Sequence, residues 1–113
     1  MKGHHVKTTS FISEGTELEG DLRVEGGLRV DGTLKGSLIS GSVVTFGDKA
    51  HVHAHIEAQA VISSGHIEGD IVSAEQVQLT LPARVKGAIR TRELVLEKGV
   101  YFDGSCKIVE PED

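Results

Sequence analysis

The sequence predicts an all-β, single-domain parallel β-solenoid of about six coils. Three observations support this prediction: Val and Ile number 21 against nine Leu, Gly accounts for 14 of the 113 residues, and a short apolar pattern recurs along the chain. β-Branched side chains favour strands, and Gly favours the turns between them. With 38% hydrophobic residues, a chain of this length can form one core and has no room for a second.

The repeat is a pentad that reads apolar, any, small, any, apolar, and its first copy is LEGDL at residues 18–22. The intervals between successive copies are 15 to 18 residues. The small residues at the six centres are Gly20, Gly36, Ala54, Gly69, Gly87 and Gly104. A period of about 17 residues is in the range of repeat proteins, whose units stack to bury a shared core.

Each pentad alternates with period two, which is typical of a strand with one buried face. A helix would require apolar residues three and four positions apart, and each central Gly would cost a helix about 1 kcal/mol. We therefore expect negligible helix. Because one coil cannot bury its own apolar face, six coils are expected to stack with their strands parallel.

Stacking predicts which side chains become neighbours in successive coils. The first inward column is predicted to contain Leu18, Leu34, Val52, Ile67, Val85 and Phe102, and the second Leu22, Leu38, Ile56, Ile71, Ile89 and Cys106. A further apolar column, eight residues after the small residues, is predicted to contain Leu28, Val44, Ile62, Val77 and Val95, with Leu94 and Leu96 giving a competing register. An outward column is predicted to contain Glu19, Lys35, His53, Glu68, Lys86 and Asp103. Opposite charges meet at three of the five junctions in this column, and like charges meet at none.

Composition excludes several classes of function. The net charge of −5 and the pI near 5.6 argue against nucleic-acid binding. No apolar run approaches the ~18 residues that cross a bilayer, and no signal peptide is visible, so we expect no membrane insertion. The single cysteine, Cys106, cannot form an internal disulfide, which together with the missing signal peptide predicts a cytoplasmic location. Neither a GxGxxG pattern nor a Gly-Lys pair is present, so we expect no nucleotide cofactor.

The histidines and the cysteine are the remaining candidates for chemistry. His51, His53 and His55 alternate along one strand, and two of them could bind zinc if a third ligand approached. The favoured interpretation is a solvated histidine face without metal. Cys106 belongs to an inward column and is interpreted as a small buried apolar residue rather than a nucleophile. No catalytic, cofactor-binding or metal-binding residue is assigned.

Three segments resemble the bactofilins, polymer-forming bacterial cytoskeletal proteins: SEGTELEGDL at 13–22, IEGDI at 67–71 and LVLEKGVYFDG at 94–104. The resemblance divides the chain into a polar tail (1–10), a β-helix domain (11–108) and an acidic tail (109–113). It implies a right-handed β-helix that polymerises end to end, without nucleotide, into non-polar filaments. In the family such filaments often lie at the inner membrane and scaffold cell-wall enzymes that influence cell shape. The sequence HAH at 53–55 stands where the family commonly has Glu-Gly-Asp or Glu-Gly-Asn.

A physical argument also predicts self-association. A solenoid has two open ends with unpaired strand edges, and soluble solenoids normally cover them with polar caps. No capping segment is visible, and apolar residues lie near both ends. The candidate residues for a homopolymer interface are Phe11, Ile12, Tyr101, Phe102 and Ile108. These side chains could alternatively fill the terminal coils as ordinary core. Further partners are expected among cell-wall enzymes or membrane proteins.

Two other interpretations remain open at this point. A left-handed β-helix enzyme, either a hexapeptide acyltransferase or a zinc carbonic anhydrase, would explain the histidines. The coils of that fold are built from regular hexads, with 18 residues per turn, whereas the coil length here varies from 15 to 18 residues. A monomeric adaptor solenoid would require caps.

Overall fold

The computed structural model describes residues 10–110, which form ten strands and no helix. The strands are β1 (Ser10–Ile12), β2 (Glu17–Val24), β3 (Leu28–Val30), β4 (Thr33–Ser40), β5 (Val43–Phe46), β6 (His51–Ser63), β7 (His66–Leu79), β8 (Arg84–Thr91), β9 (Glu93–Leu96) and β10 (Tyr101–Ile108). Every strand pair is parallel. The described residues therefore form the predicted all-β solenoid.

The strands stack in two columns that run along the solenoid axis. The long stack has the order β2, β4, β6, β7, β8, β10, and the short stack has the order β1, β3, β5, β6, β7, β9. Strands β6 and β7 are long enough to contribute to both stacks. Six levels in the long stack correspond to the six predicted coils.

The long stack confirms the predicted register at all five junctions. Gly20 pairs with Gly36, Gly36 with Ala54, Ala54 with Gly69, Gly69 with Gly87, and Gly87 with Gly104. Both predicted inward columns follow from these pairs, and their members in the four central coils are buried. The pentad was sufficient to fix the alignment because a one-residue shift would move every inward side chain to solvent.

The predicted third apolar column was wrong in two coils. Val61, not Ile62, pairs with Val44 and Val77, and Leu94, not Val95, pairs with Val77. In coils three and five, the corner between the long and the short stack has one residue fewer than in the neighbouring coils. The shift exchanges inward and outward positions, which is why Val61 is fully buried and Val95 is exposed.

The central glycines of the long stack pack directly on the coil before them. Gly36, Gly69, Gly87 and Gly104 all have a positive φ, a region that side chains other than Gly rarely adopt. A Cβ atom at Gly87 would collide with the carbonyl oxygen of Gly69, and one at Gly69 with that of Ala54. The close approach of successive coils therefore requires Gly at these positions.

The core is apolar along the whole axis, and the polar groups that reach it are satisfied. Phe46 is the largest of its fully buried side chains. The hydroxyl of Ser73 lies 3.0 Å from the carbonyl oxygen of Gln59 and 2.8 Å from that of Gln76, and these two acceptors share its one hydrogen. Among the residues described, no buried side-chain nitrogen or oxygen lacks a hydrogen-bond partner. The corners thus turn without leaving buried polar groups unpaired.

The outward charge column has the predicted register, but its lysines do not contact the carboxylates of the neighbouring coils. Within residues 10–110, no carboxylate lies within 4.0 Å of Lys35 or Lys86, and the one contact of this length in the column is 3.7 Å, between Nε2 of His53 and Oε1 of Glu68. Successive coils are instead joined on the outside by hydrogen bonds between side chains: Ser37 to Asp21, Gln59 to Glu75, and Gln76 to Glu93. The register is held by the core and backbone ladders, since exposed ion pairs contribute little.

Candidate self-assembly interface

The two ends of the solenoid expose strand edges. At the N-terminal end, β1 pairs only with β3 and β2 only with β4; at the C-terminal end, β9 pairs only with β7 and β10 only with β8. Among residues 10–110, each of these four strands therefore has one edge without a strand partner, and no helix caps these edges. Such edges are templates for pairing with another chain.

At the N-terminal end, the structure separates the two candidate residues. Phe11 is 68% exposed, whereas Ile12 is 5% exposed and belongs to the core. Phe11 pairs in register with Arg29, which points outward, so the Phe11 ring lies on the outer rim. Leu18, the first residue of an inward column, is exposed because no strand of residues 10–110 precedes β2 in the long stack. Leu18 was not among the interface residues predicted from the sequence, although its position at the start of the first inward column could have identified it.

At the C-terminal end, the last members of the inward columns are exposed. Ile108 is 50% exposed and Leu96 is 47% exposed, although each continues a column that is buried in earlier coils. Phe102 is only half-buried and packs against the core. Tyr101 faces outward, with the guanidinium of Arg84 over its ring at 4.6 Å. The end therefore presents apolar core that lacks a covering coil, and Leu96 is a further member that the sequence analysis missed.

Gly20 has the positive φ of the other central glycines of the long stack, but no described residue packs on it. Its φ is +127°, and a Cβ atom there would meet no atom of residues 10–110 within 4 Å. At Gly36, one coil further, the same position is filled by the backbone of Gly20. The N-terminal coil thus retains the surface on which a preceding coil would pack.

Comparison with known proteins agrees with this architecture. The profile of the family described as "Bactofilin: Polymer-forming cytoskeletal" matches residues 10–107. The chain belongs to the bactofilin family. Bactofilin BacO of Myxococcus xanthus (strain DK1622) is 28% identical over 94 residues, which cover 83% of this chain and 75% of BacO. The cytoskeletal bactofilin BacA, whose structure was determined by solid-state NMR, superposes with a TM-score of 0.79 at 32% identity, covering 93% of this chain and 98% of BacA.

The terminal strands of this bactofilin carry different charges. The outward side chains of β2 include Glu17, Glu19 and Asp21 together with Arg23. Those of β10 include Asp103 and Lys107. The charge pattern decides which edges can meet without opposing like charges, because strands pair about 4.8 Å apart.

The expectation that Cys106 is buried was wrong. Cys106 continues the inward column of Ile71 and Ile89, but it is exposed because, in the part of the chain that the structure describes, no strand follows β10 in the long stack. Partial burial nevertheless raises the pKa of its thiol above the ordinary value. Cys106 is therefore a marker of the C-terminal end that reagents can reach.

The histidine face lies on the outside of the long stack, away from both ends. His51 and His53 are exposed, and His55 is half-buried. As the side chains stand, no three His, Cys, Asp or Glu residues between 10 and 110 form a group that could hold a metal ion. Over the same residues, no helix is long and apolar enough to span a membrane.

Proposed function

We propose that this bactofilin is a non-enzymatic bacterial cytoskeletal protein that assembles end to end, without nucleotide, into non-polar filaments. In this proposal the filaments lie in the cytoplasm, reach the inner membrane through partners, and scaffold cell-wall enzymes or other cell-shape machinery. The observation that supports it most directly is the pair of uncapped ends, where strand edges and apolar column ends are exposed together. Stacking a second subunit pairs the edges and covers the apolar surface at once.

The charges on β2 and β10 favour non-polar assembly. In head-to-tail stacking, the parallel register would continue from β10 to β2 of the next subunit, placing Asp103 beside Glu19 and Lys107 beside Arg23. Both contacts join like charges, which destabilise a strand pair. A head-to-tail filament would therefore carry two unfavourable contacts at every junction.

Two-fold junctions avoid these contacts at the C-terminal end. If two copies of β10 meet antiparallel and centred on Ser105, Asp103 of each chain faces Lys107 of the other, while Phe102 faces Ile108. Inward residues then continue to meet inward residues. At the N-terminal end, an antiparallel pair centred on Asp21 gives two Glu19–Arg23 contacts, one Asp21 pair and, just beyond β2, two contacts between Glu17 and Glu25. Over both kinds of two-fold junction, four contacts join opposite charges and three join like charges, whereas the charged contacts of a head-to-tail filament all join like charges. The balance of charges thus favours joining like ends.

Replacing Gly20 by Ala is expected to stop assembly at a dimer. The added Cβ points to where a preceding coil would pack, so it blocks the N-terminal junction and leaves the C-terminal junction intact. Size-exclusion chromatography with light scattering should show twice the 12.0 kDa chain mass, where wild type forms filaments without nucleotide and in EDTA.

The control is Gly99→Ala, which also places a side chain at a positive φ but meets only the flexible side chain of Leu81. It should still form filaments. Monomers from Gly20→Ala would indicate head-to-tail stacking, and filaments of unchanged length would exclude the N-terminal end as a junction.

Cross-linking at position 105 tests the polarity of the filaments. In the two-fold junction, the Ser105 residues of two chains are directly opposite each other and face outward, with Cβ atoms about 5 Å apart. In a head-to-tail filament, they are separated by six coils, or about 29 Å. Oxidation of filaments of the double variant Ser105→Cys, Cys106→Ser should therefore give disulfide-linked dimers on a denaturing gel. Cys106→Ser alone is the control, and oxidised filaments of the double variant that yield no linked dimer would contradict the two-fold junction.

A further inference from the structure

We propose that a groove along one corner of the solenoid binds an extended acidic segment of a partner protein. The groove follows the corner at which the strands of the long stack end, and Arg90 and Arg92 form its basic end. Because the proposal gives the chemistry of a partner that the filaments would hold, it rests on the proposed scaffold function. Binding to the groove itself requires only one chain.

Two adjoining cavities form the groove, and Val72 and Ala74 line both of them. One cavity, of about 260 Å³, extends to Ile39 in the second coil. The other, of about 400 Å³, extends to Arg90 and Arg92 in the fifth coil. Ile39 and Arg90 lie in one outward column, three strand junctions or about 14 Å apart. An extended peptide of roughly five residues covers this length.

The basic end of the groove lacks a counter-charge among the described residues. Arg90 and Arg92 are both exposed, and no carboxylate of residues 10–110 lies within 4.0 Å of either guanidinium. The residue directly opposite Arg90 on β10 is another cation, Lys107. Like charges at such positions destabilise a strand pair, and a bound carboxylate would relieve the repulsion. In the two-fold junction Lys107 faces Asp103 of the second chain, so Arg90 and Arg92 remain for the ligand.

The positive charge is confined to this part of the surface. The chain has a net charge of −5, and residues 50–83 contain no Lys or Arg. Glu57 lies in the same outward column, two coils before Arg90, and repels an acidic segment there. Glu110 lines the basic cavity but does not pair with either arginine. The charges therefore place the acidic end of a peptide at Arg90 and Arg92 and its neutral end beside Glu57.

The groove fits a peptide better than it fits an anionic membrane. A guanidinium group binds a carboxylate through two parallel N–H donors, and Val72 and Ala74 offer apolar surface beside it. In an extended peptide, side chains two residues apart face the same side, so an aliphatic and an acidic side chain reach this surface together. A flat membrane cannot enter a cavity, and it would meet the carboxylate of Glu110 at the rim.

The test is the fluorescence anisotropy of a labelled peptide, Val-Thr-Val-Thr-Glu-Glu, with an amidated C-terminus. The full chain should bind it saturably and should bind the same peptide ending in Gln-Gln about tenfold more weakly, because hydrogen bonds between charged groups contribute this much. Arg90→Gln and Arg92→Gln should each weaken binding about tenfold for the same reason. The matched control is Arg84→Gln. Arg84 is on the same strand, but its guanidinium carbon lies 4.6 Å from the centre of the Tyr101 ring, so its loss should leave binding unchanged.

A second variant, Ala74→Leu, separates binding in the groove from general attraction to the arginines. The larger side chain occupies space in both cavities without changing the charge, so it should weaken peptide binding several-fold. Circular dichroism should show that all variants retain the β spectrum, because the altered side chains are exposed. Full affinity in Ala74→Leu would show that the peptide does not lie in the groove.

Two further results would overturn the proposal. One is an anisotropy that stays constant up to about 1 mM chain, or that rises equally in Arg90→Gln, Arg92→Gln and their parent. The other is retention of the chain on phosphatidylglycerol vesicles, lost in the arginine variants, without peptide binding, since the occupant would then be a membrane. Anisotropy does not require filaments, and light scattering measures their formation separately. Peptide binding by a chain that stays monomeric would contradict the proposed assembly and not the groove.

Discussion

Replacing Gly87 by Ala is expected to lower the free energy of unfolding by about 4 kcal/mol, among the larger effects of single substitutions. The new Cβ would collide with the backbone carbonyl of Gly69, and neither coil can move without breaking the strand ladder. Of this loss, about 1–2 kcal/mol is local strain, because alanine has to adopt the positive φ of Gly87. Urea denaturation followed by far-ultraviolet circular dichroism measures the loss.

Gly15→Ala separates the two contributions. Gly15 also has a positive φ, but a Cβ there meets nothing within 4 Å. Its replacement should cost only the local strain, about 1–2 kcal/mol. If Gly15→Ala and Gly87→Ala lower stability equally, the collision between coils contributes nothing and the packing argument fails.

Phe46→Ala is expected to lower the free energy of unfolding by about 3–5 kcal/mol, the usual cost of deleting a buried aromatic ring. Phe46 is fully buried and stacks between Val30 and Ser63 in the short stack. The small Ser63 cannot fill the space that the ring leaves, because both strands are held by their ladders. Thermal and urea denaturation should both show the loss.

The matched control for Phe46 is Phe11→Ala, because Phe11 is the same residue type on the outer rim. Below the concentration at which the wild type assembles, this substitution should change stability by less than about 0.5 kcal/mol. A loss of less than about 1 kcal/mol for Phe46→Ala would mean that the core relaxes into the cavity, contrary to the rigid stacking described here.

The pentad determined most of the fold without reference to coordinates. Its period-two alternation predicted strands, its recurrence predicted stacking, and the positions of its small residues aligned all six coils of the long stack. This was possible because a wrong register places charged residues in the core. The corners were not predictable in the same way. Ile62 and Val95 were assigned to the core because corner length varies by one residue, and no local pattern marks the shorter corners.

The sequence by itself determined the fold class, the period, the inward columns of the long stack and the placement of apolar residues near both ends. Only the tertiary structure showed that Cys106 is exposed, that no described residue packs on Gly20 and that Val61 takes the place of Ile62 in the third apolar column. Alternation along a strand depends on adjacent residues and is visible in the chain. Contacts between coils depend on how many residues each corner uses and on whether a further coil follows, so they are fixed only when the coils stack.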